Sequence, residues 1–389
     1  MDIKYFDNAA TTKVAKEVLN EMMPYLQEEY GNPSSMYTLG RSSKRAIEEA
    51  RKKVAELINC EPNEIYFTSS GSESDNTAIK GIAYYNYNKG MHIITSKIEH
   101  PAVLNTCHTL EKQGFIVTYL DVDKEGFIDL EQLMNSIRHD TILITIMFAN
   151  NEIGTIQNVE EISKIAKMYN IIFHTDAVQA CGNIPIDVKK MGIDMLSLSG
   201  HKLYATKGVG ALYVKNGIEF TKFIDGGHQE KDKRASTENV PGIVGLGKAC
   251  ELANKNMNNH IEKLTKLRNY YISEVEKKID NIKFNGPKEK RLPGNANFSF
   301  LDIDGQSLLL NLDEKGICAS SGSACSTGSL NPSHVLKAIG LSDDLANGAL
   351  RTSFGDENTK YDVDYLVENL KESVERLRTI NSQELQERI

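Results

Sequence analysis

The sequence predicts an α/β protein, with a large domain built on a mainly parallel sheet and a smaller α+β domain beside it. Three observations carry that prediction. Seven short apolar runs fall between residues 64 and 214, most of them alternating with stretches of helical spacing, which is the pattern of a sheet covered by helices. A mostly helical segment then spans 240–279 with its charges spaced as on a solvated helix face. Beyond it lies a sparser set of strand and helix signals that needs a core of its own.

Taken in order, the chain starts irregularly and then places Val14, Val18, Met22 and Leu26 at helical intervals, so a helix is expected over 14–30. The same pattern with charges opposite predicts a second helix over 41–59. Strands are expected at 64–68, 92–95, 116–120, 141–148, 170–175, 194–199 and 209–214. After the long helical segment come strands at 295–301 and 349–354, a helix over 305–314, and closing helices after Tyr361. Residues 14–255 are expected to form the large domain, with 1–13 and 256–389 forming the small one.

Composition narrows the function classes. The formal charge of -8 and the lack of a dense Lys/Arg block give no basic field for nucleic acid. The opening MDIKYFDNAATTK lacks the basic-then-apolar order of a secretory signal, and no apolar run approaches the ~20 residues that span a bilayer. A soluble, cytoplasmic protein without membrane or nucleic-acid partners is expected. The six cysteines (Cys60, Cys107, Cys181, Cys250, Cys318, Cys325) form no CxxC pair, which argues against zinc or a disulfide framework and leaves reduced thiols.

In open α/β sheets, ligands gather at the carboxyl ends of the strands, and three such junctions are chemically rich. After Thr68 the chain reads SSGSESDN, where Gly71 and Ser72 open a helix and offer backbone N–H groups and a hydroxyl to an anion. In FHTDAVQA, Asp176 and Gln179 follow an apolar strand, and a carboxylate buried there needs a partner. In LSLSGHKLY, Ser199, His201 and Lys202 end another strand. Taken alone, the first junction fits plain capping and the third a solvated turn with a cap. Together, an anion cup, a buried Asp and a Lys are the three parts of a pyridoxal-phosphate site: the Lys holds the cofactor, the Asp keeps its ring nitrogen protonated, and the cup anchors its phosphate.

The stretches YFDNAATT, YGNPSS, FTSSGSESDN, EHPAVL, NNEIG, HTDAVQ, SGHKLY, RASTENV, SSGSACS and LRTSFG, in that order along nearly the whole chain, resemble the NifS/IscS cysteine desulfurases of the class V aminotransferase group. The resemblance implies a pyridoxal-phosphate-dependent transferase of fold type I, metal-free, that converts L-cysteine to L-alanine. It implies Lys202 as the cofactor lysine, Asp176 on the ring nitrogen, His100 over the ring face, and Asn151 and Gln179 at the phenolic oxygen. Gly71, Ser72, Ser199 and His201 would hold the phosphate, joined by Thr237 from the second subunit of a homodimer. Arg351, with Asn32, would grip the substrate carboxylate as a bidentate fork.

Cys325, in the Gly- and Ser-rich stretch from Ala319 to Ser329, is the implied nucleophile that carries the sulfur as a persulfide to an acceptor, such as an iron–sulfur scaffold protein or a tRNA-modifying protein. Departures from the family pattern are Gly71-Ser72 after an additional Ser70, the stretch HQEKDKRASTENV with Ser236 where Gly is usual, and Ala205-Thr206 after the lysine. The competing readings are selenocysteine lyase or another class V transamination, and a scaffold that chiefly binds iron–sulfur assembly partners. A thiol at Cys325 is superfluous to transamination, and a full set of reactive residues is superfluous to a scaffold.

Overall fold

The computed structural model describes residues 3–321 and 332–387, and Cys325 lies outside the described residues. Its strands are β1 (Lys4–Tyr5), β2 (Ile65–Thr68), β3 (His92–Ser96), β4 (Ile116–Leu120), β5 (Thr141–Thr145), β6 (Ile172–Asp176), β7 (Met195–Ser199), β8 (Gly210–Val214), β9 (Ile282–Phe284), β10 (Asn295–Phe300), β11 (Ile317–Cys318) and β12 (Ala349–Ser353). Seven of them form one sheet in the order β2-β8-β7-β6-β5-β3-β4. Four neighbouring pairs are parallel, while β8 runs antiparallel to both β7 and β2. Only β8 is therefore reversed, and the carboxyl ends of the other six strands reach the same edge.

The central strands are buried on both faces. Adjacent residues in Ile93-Ile94, Leu143-Ile144, Met195-Leu196 and Ala211-Leu212 point into two different apolar clusters, one on each side of the sheet. This is why these strands read as unbroken apolar runs without alternation. Helix Gly71–Tyr85 covers one face through Ile79 and Ile82, and helix Thr38–Ile58 contributes Ile47, Val54 and Ile58 to the other.

The second core surrounds the antiparallel sheet β12-β10-β9 and contains Tyr271, Phe298, Phe300, Phe354 and Leu366. Helix Val240–Lys278 joins the two cores: Val240, Val244 and Cys250 pack into the first and Leu264, Tyr271 and Val275 into the second. The chain start belongs with the second core, where Phe6 is buried, β1 pairs in parallel with β11, and Asp7 bridges Ser353.

Several expected elements differ from the observed ones. The run 141–148 is a strand only to Thr145, because its continuation turns towards the site, with Phe148 N–H on the Asp176 carbonyl at 2.8 Å. The closing helices are one helix, Lys360–Glu387, and β1, β9 and β11 lacked any apolar signal long enough to announce them. Among the described residues, no helix is long and apolar enough to cross a membrane.

Candidate active site

The carboxyl edge of the large sheet collects the predicted residues from separate strands. Asp176 ends β6 at 6% exposure, and its Oδ1 accepts the Val178 N–H at 2.9 Å. His100 follows β3 and caps helix Pro101–Glu111, with its Nδ1 accepting the Ala102 N–H at 3.1 Å. That bond leaves the neutral ring's proton on Nε2. Burial pushes the His100 imidazole below its usual pKa, against the pull of Asp176. Burial likewise pushes Asp176 up, opposed by His100, the Val178 N–H and Lys202.

Lys202 sits in the single turn Gly200–Lys202 after β7, where its Nζ donates to the Ala9 carbonyl and, at 2.6 Å, to that of Ala10. Gln179 Nε2 donates to the same Ala9 carbonyl at 2.9 Å, so the NAA segment of the chain start ties two predicted residues together. His201 Nδ1 lies 3.2 Å from Thr11 Oγ1, and burial followed by the neighbouring Lys202 charge lowers its pKa to about 4. Ser199 ends β7 and is buried.

Gly71 and Ser72 open helix Gly71–Tyr85, whose N-cap Ser70 accepts the Glu73 N–H at 3.1 Å. First-turn N–H groups have no intrahelical acceptor, and they carry the positive end of the helix dipole. A side chain at residue 71 has no space: its Cβ falls 2.6 Å from Val178 Cγ2 and 3.4 Å from Ser199 Cβ. The turn thus packs against the loops after β6 and β7, where Asp176 and Lys202 stand.

Arg351, 2% exposed on β12, donates from Nη2 to Asp7 Oδ1 at 2.7 Å and from Nη1 to the Asn151 carbonyl at 3.2 Å, while its buried Nε has no hydrogen-bond partner among the described residues. Asn151 is thereby brought to the site by its backbone. Asn32 and Thr237 are exposed, and among the described residues no hydrogen bond joins either to the group above. Asn32 Oδ1 instead accepts the Ser34 N–H at 2.9 Å.

Some residues of the site escaped the sequence reading. Asp75 is buried on helix Gly71–Tyr85, its Oδ1 lies 3.8 Å from His174 Nε2 with no hydrogen-bond partner among the described residues, and its ligand atom lies within 4.8 Å of those of His100 and Asp176. Burial, then the charge of Asp176, drives the Asp75 carboxyl well up. Glu99 is also fully buried, accepting from Ser96 Oγ at 2.6 Å and Met147 N at 3.0 Å, and burial raises it to about 8. His174 is buried between Thr145 Oγ1 at 2.8 Å and Ser197 Oγ at 3.0 Å and is held neutral by burial. All four lay in quoted motifs without a role, Asp7 in YFDNAATT, Asp75 in FTSSGSESDN, Glu99 in EHPAVL and His174 in HTDAVQ, because only folding removes them from water.

Two buried carboxyls facing an imidazole want one positive group, and a protonated pyridine nitrogen supplies it. With an amine from Lys202 and a helix N-terminus open to an anion, the residues fit pyridoxal phosphate and define the class as enzymes that use it. The family profile for class V aminotransferases matches residues 4–366, and the chain belongs to that family. It is 55% identical over 377 residues to the cysteine desulfurase IscS of Dictyoglomus turgidum, covering 97% of this chain and 96% of that one. It is 56% identical over 377 residues to the IscS of Methanosarcina thermophila, covering 97% and 93%. Among solved structures it is similar to a NifS-like protein at TM-score 0.90 and 39% identity, covering 95% of this chain and 99% of that one. It is also similar to SspA in complex with cysteine at TM-score 0.81 and 40% identity, covering 90% and 98%.

Proposed function

We propose that this chain is a pyridoxal-phosphate-dependent cysteine desulfurase that releases L-alanine from L-cysteine and passes the sulfur through Cys325 to an acceptor protein. The observation that carries this reading is the 55% identity, over 97% of the chain, to a cysteine desulfurase. When bound, the cofactor supplies an electron sink for the substrate Cα and labilises the Cβ–S bond.

In this reading the protein's own groups have distinct tasks. Asp176 faces the ring nitrogen and His100 the ring. Gln179 and Asn151 serve the phenolic oxygen, and Gly71, Ser72, Ser199 and His201 the phosphate. Lys202, as a neutral amine, takes the Cα proton, and the Nε2 proton of His100 is available for transfer. Arg351 meets the substrate carboxylate, aided by Asn32. Its guanidinium is already oriented by Asp7, and its Nε is a donor without an acceptor among the described residues.

The Cys325 thiolate attacks the substrate sulfur, forming the S–S bond as the Cβ–S bond breaks. Support comes from the other thiols. Burial pushes Cys60, Cys107 and Cys250 up to about 12 and raises Cys181 and Cys318 as well, so these five are held as inert thiols.

The reading includes a cytoplasmic homodimer in which Thr237 completes the partner's phosphate site. The apolar residues Leu19, Met23, Leu26, Met36 and Tyr37 are exposed along one N-terminal segment, a surface suited to a second copy. It also assigns 14–255 to the cofactor domain and 1–13 with 256–389 to the small domain. The test is the yield of alanine and sulfide from L-cysteine with a reductant, for the parent and Cys325→Ala. Both products are expected from the parent and neither at comparable rate from the variant. Equal rates overturn the role of Cys325, and a parent that makes no alanine overturns the activity.

A further inference from the structure

The anion-binding turn contains a charge that opposes its task. Glu73 stands in the first turn of helix Gly71–Tyr85, and its Oε2 accepts the backbone N–H of Ser69 at 2.8 Å as well as the Ser69 hydroxyl. It is thus folded back over the same turn that Gly71 and Ser72 open. Burial raises this carboxyl, but Arg234 and Ser69 outweigh it, so Glu73 is held ionised below its ordinary range. An ionised carboxylate beside a phosphate dianion is repulsive, and in a partly buried site that repulsion is poorly screened.

Arg234 answers that charge from a distant part of the chain. Its Nε lies 2.9 Å from Glu73 Oε1 and its Nη2 3.2 Å from Oε2, a bidentate fork with side chains 20% and 8% exposed. The loop that carries Arg234 is fixed independently, because Glu230 makes a buried bidentate pair with Arg51 at 2.8 Å on both arms and accepts the Phe67 N–H on the open edge of β2. Holding it there takes backbone that favours glycine: Glu230, Lys231, Asp232 and Ser236 all have positive φ (45°, 58°, 65° and 100°).

We propose that Arg234 is a positioning residue for the cofactor phosphate, acting through Glu73: it cancels the carboxylate that shares the anion-binding turn and holds it away from the anion. This rests on the reading of that turn as the phosphate site. Neither Arg234 nor Glu73 touches the cofactor in this assignment. Their effect is electrostatic, so it falls on ligands that carry phosphate.

The test is equilibrium binding of pyridoxal phosphate, and separately of pyridoxal, to the full chain stripped of cofactor, with inorganic phosphate as competitor. Arg234→Gln is expected to weaken pyridoxal phosphate and inorganic phosphate on the order of tenfold, while leaving pyridoxal unchanged. Glu73→Gln/Arg234→Gln is expected to recover most of the loss, and Arg234→Lys to retain most of the parent affinity. Equal weakening of pyridoxal and its phosphate, or no recovery in the double variant, overturns the proposal. A parent that binds pyridoxal as tightly as its phosphate, with no competition from inorganic phosphate, overturns the phosphate turn itself and the proposal with it. If Arg234→Gln does not fold, Arg234→Lys and Glu73→Gln carry the test: Glu73→Gln removes the repulsion outright, and a weakened affinity for phosphate in that variant refutes the mechanism.

Discussion

Replacing Glu230 by Gln removes one charge and almost no volume from a site where both partners are nearly dry, with Arg51 and Glu230 side chains 5% and 3% exposed. The amide oxygen of Gln still accepts the Phe67 N–H, so the backbone bond on the edge of β2 survives, while the amide nitrogen replaces Oε1 and the Arg51 Nη2 bond is lost together with the charge. Arg51 keeps its bond to the Ile65 carbonyl at 2.8 Å and a longer contact, at 3.3 Å, with the half-exposed Glu48, whose charge is screened by water. Breaking a buried pair from one side costs roughly 3–5 kcal/mol, because the remaining charge stays desolvated. Total stabilities are roughly 5–15 kcal/mol, so this is a large share. Urea unfolding of the full chain, read together with hydrogen exchange at the Phe67 amide, is expected to show both the global loss and earlier opening of the β2 edge. Arg51→Met/Glu230→Gln is expected to restore most of the stability, since no unpaired charge remains. A Glu230→Gln variant within about 0.5 kcal/mol of the parent, the range of ordinary surface changes, refutes the reasoning.

Gly71→Ala is expected to lose cofactor, because the new methyl meets Val178 Cγ2 at 2.6 Å, and Val178→Ala in the same chain is expected to regain it; bound-cofactor absorbance after gel filtration decides the matter, and full retention by Gly71→Ala alone contradicts the packing. Glu99→Gln tests a pH linkage: an acid raised in the folded state from 4.5 to about 8 favours folding below its unfolded pKa and loses that contribution as pH rises through 8. The variant therefore gains on the parent between pH 4.5 and 8 in denaturant midpoint, and a constant difference across that window argues against a buried neutral acid. Lys202→Ala is expected to leave no borohydride-reducible cofactor; a reducible adduct on the exposed Lys207 would redirect the assignment.

Much of the architecture was legible because its physics is local. The apolar runs of β3, β5 and β7 announce strands covered on both faces, and the charge spacing over 240–279 announces the long helix Val240–Lys278. Short strands such as β1 and β11 were not legible. Each has two residues, and their pairing is set by a contact between chain segments more than 300 residues apart.

The sequence by itself determined the residue types at the strand ends, the order of motifs that places the chain in its family, and hence the proposal of Lys202, Asp176 and His100 as the chemical core. Only the tertiary structure decided which groups are deprived of water and therefore perturbed. Asp75 and Glu99 read as ordinary helix and loop acids until the sheet buries them, and Arg234 reads as one basic residue in a charged loop until Glu230 anchors that loop beside Glu73. Desolvation and ion pairing depend on what packs around a charge, and that information lies in distant segments of the chain.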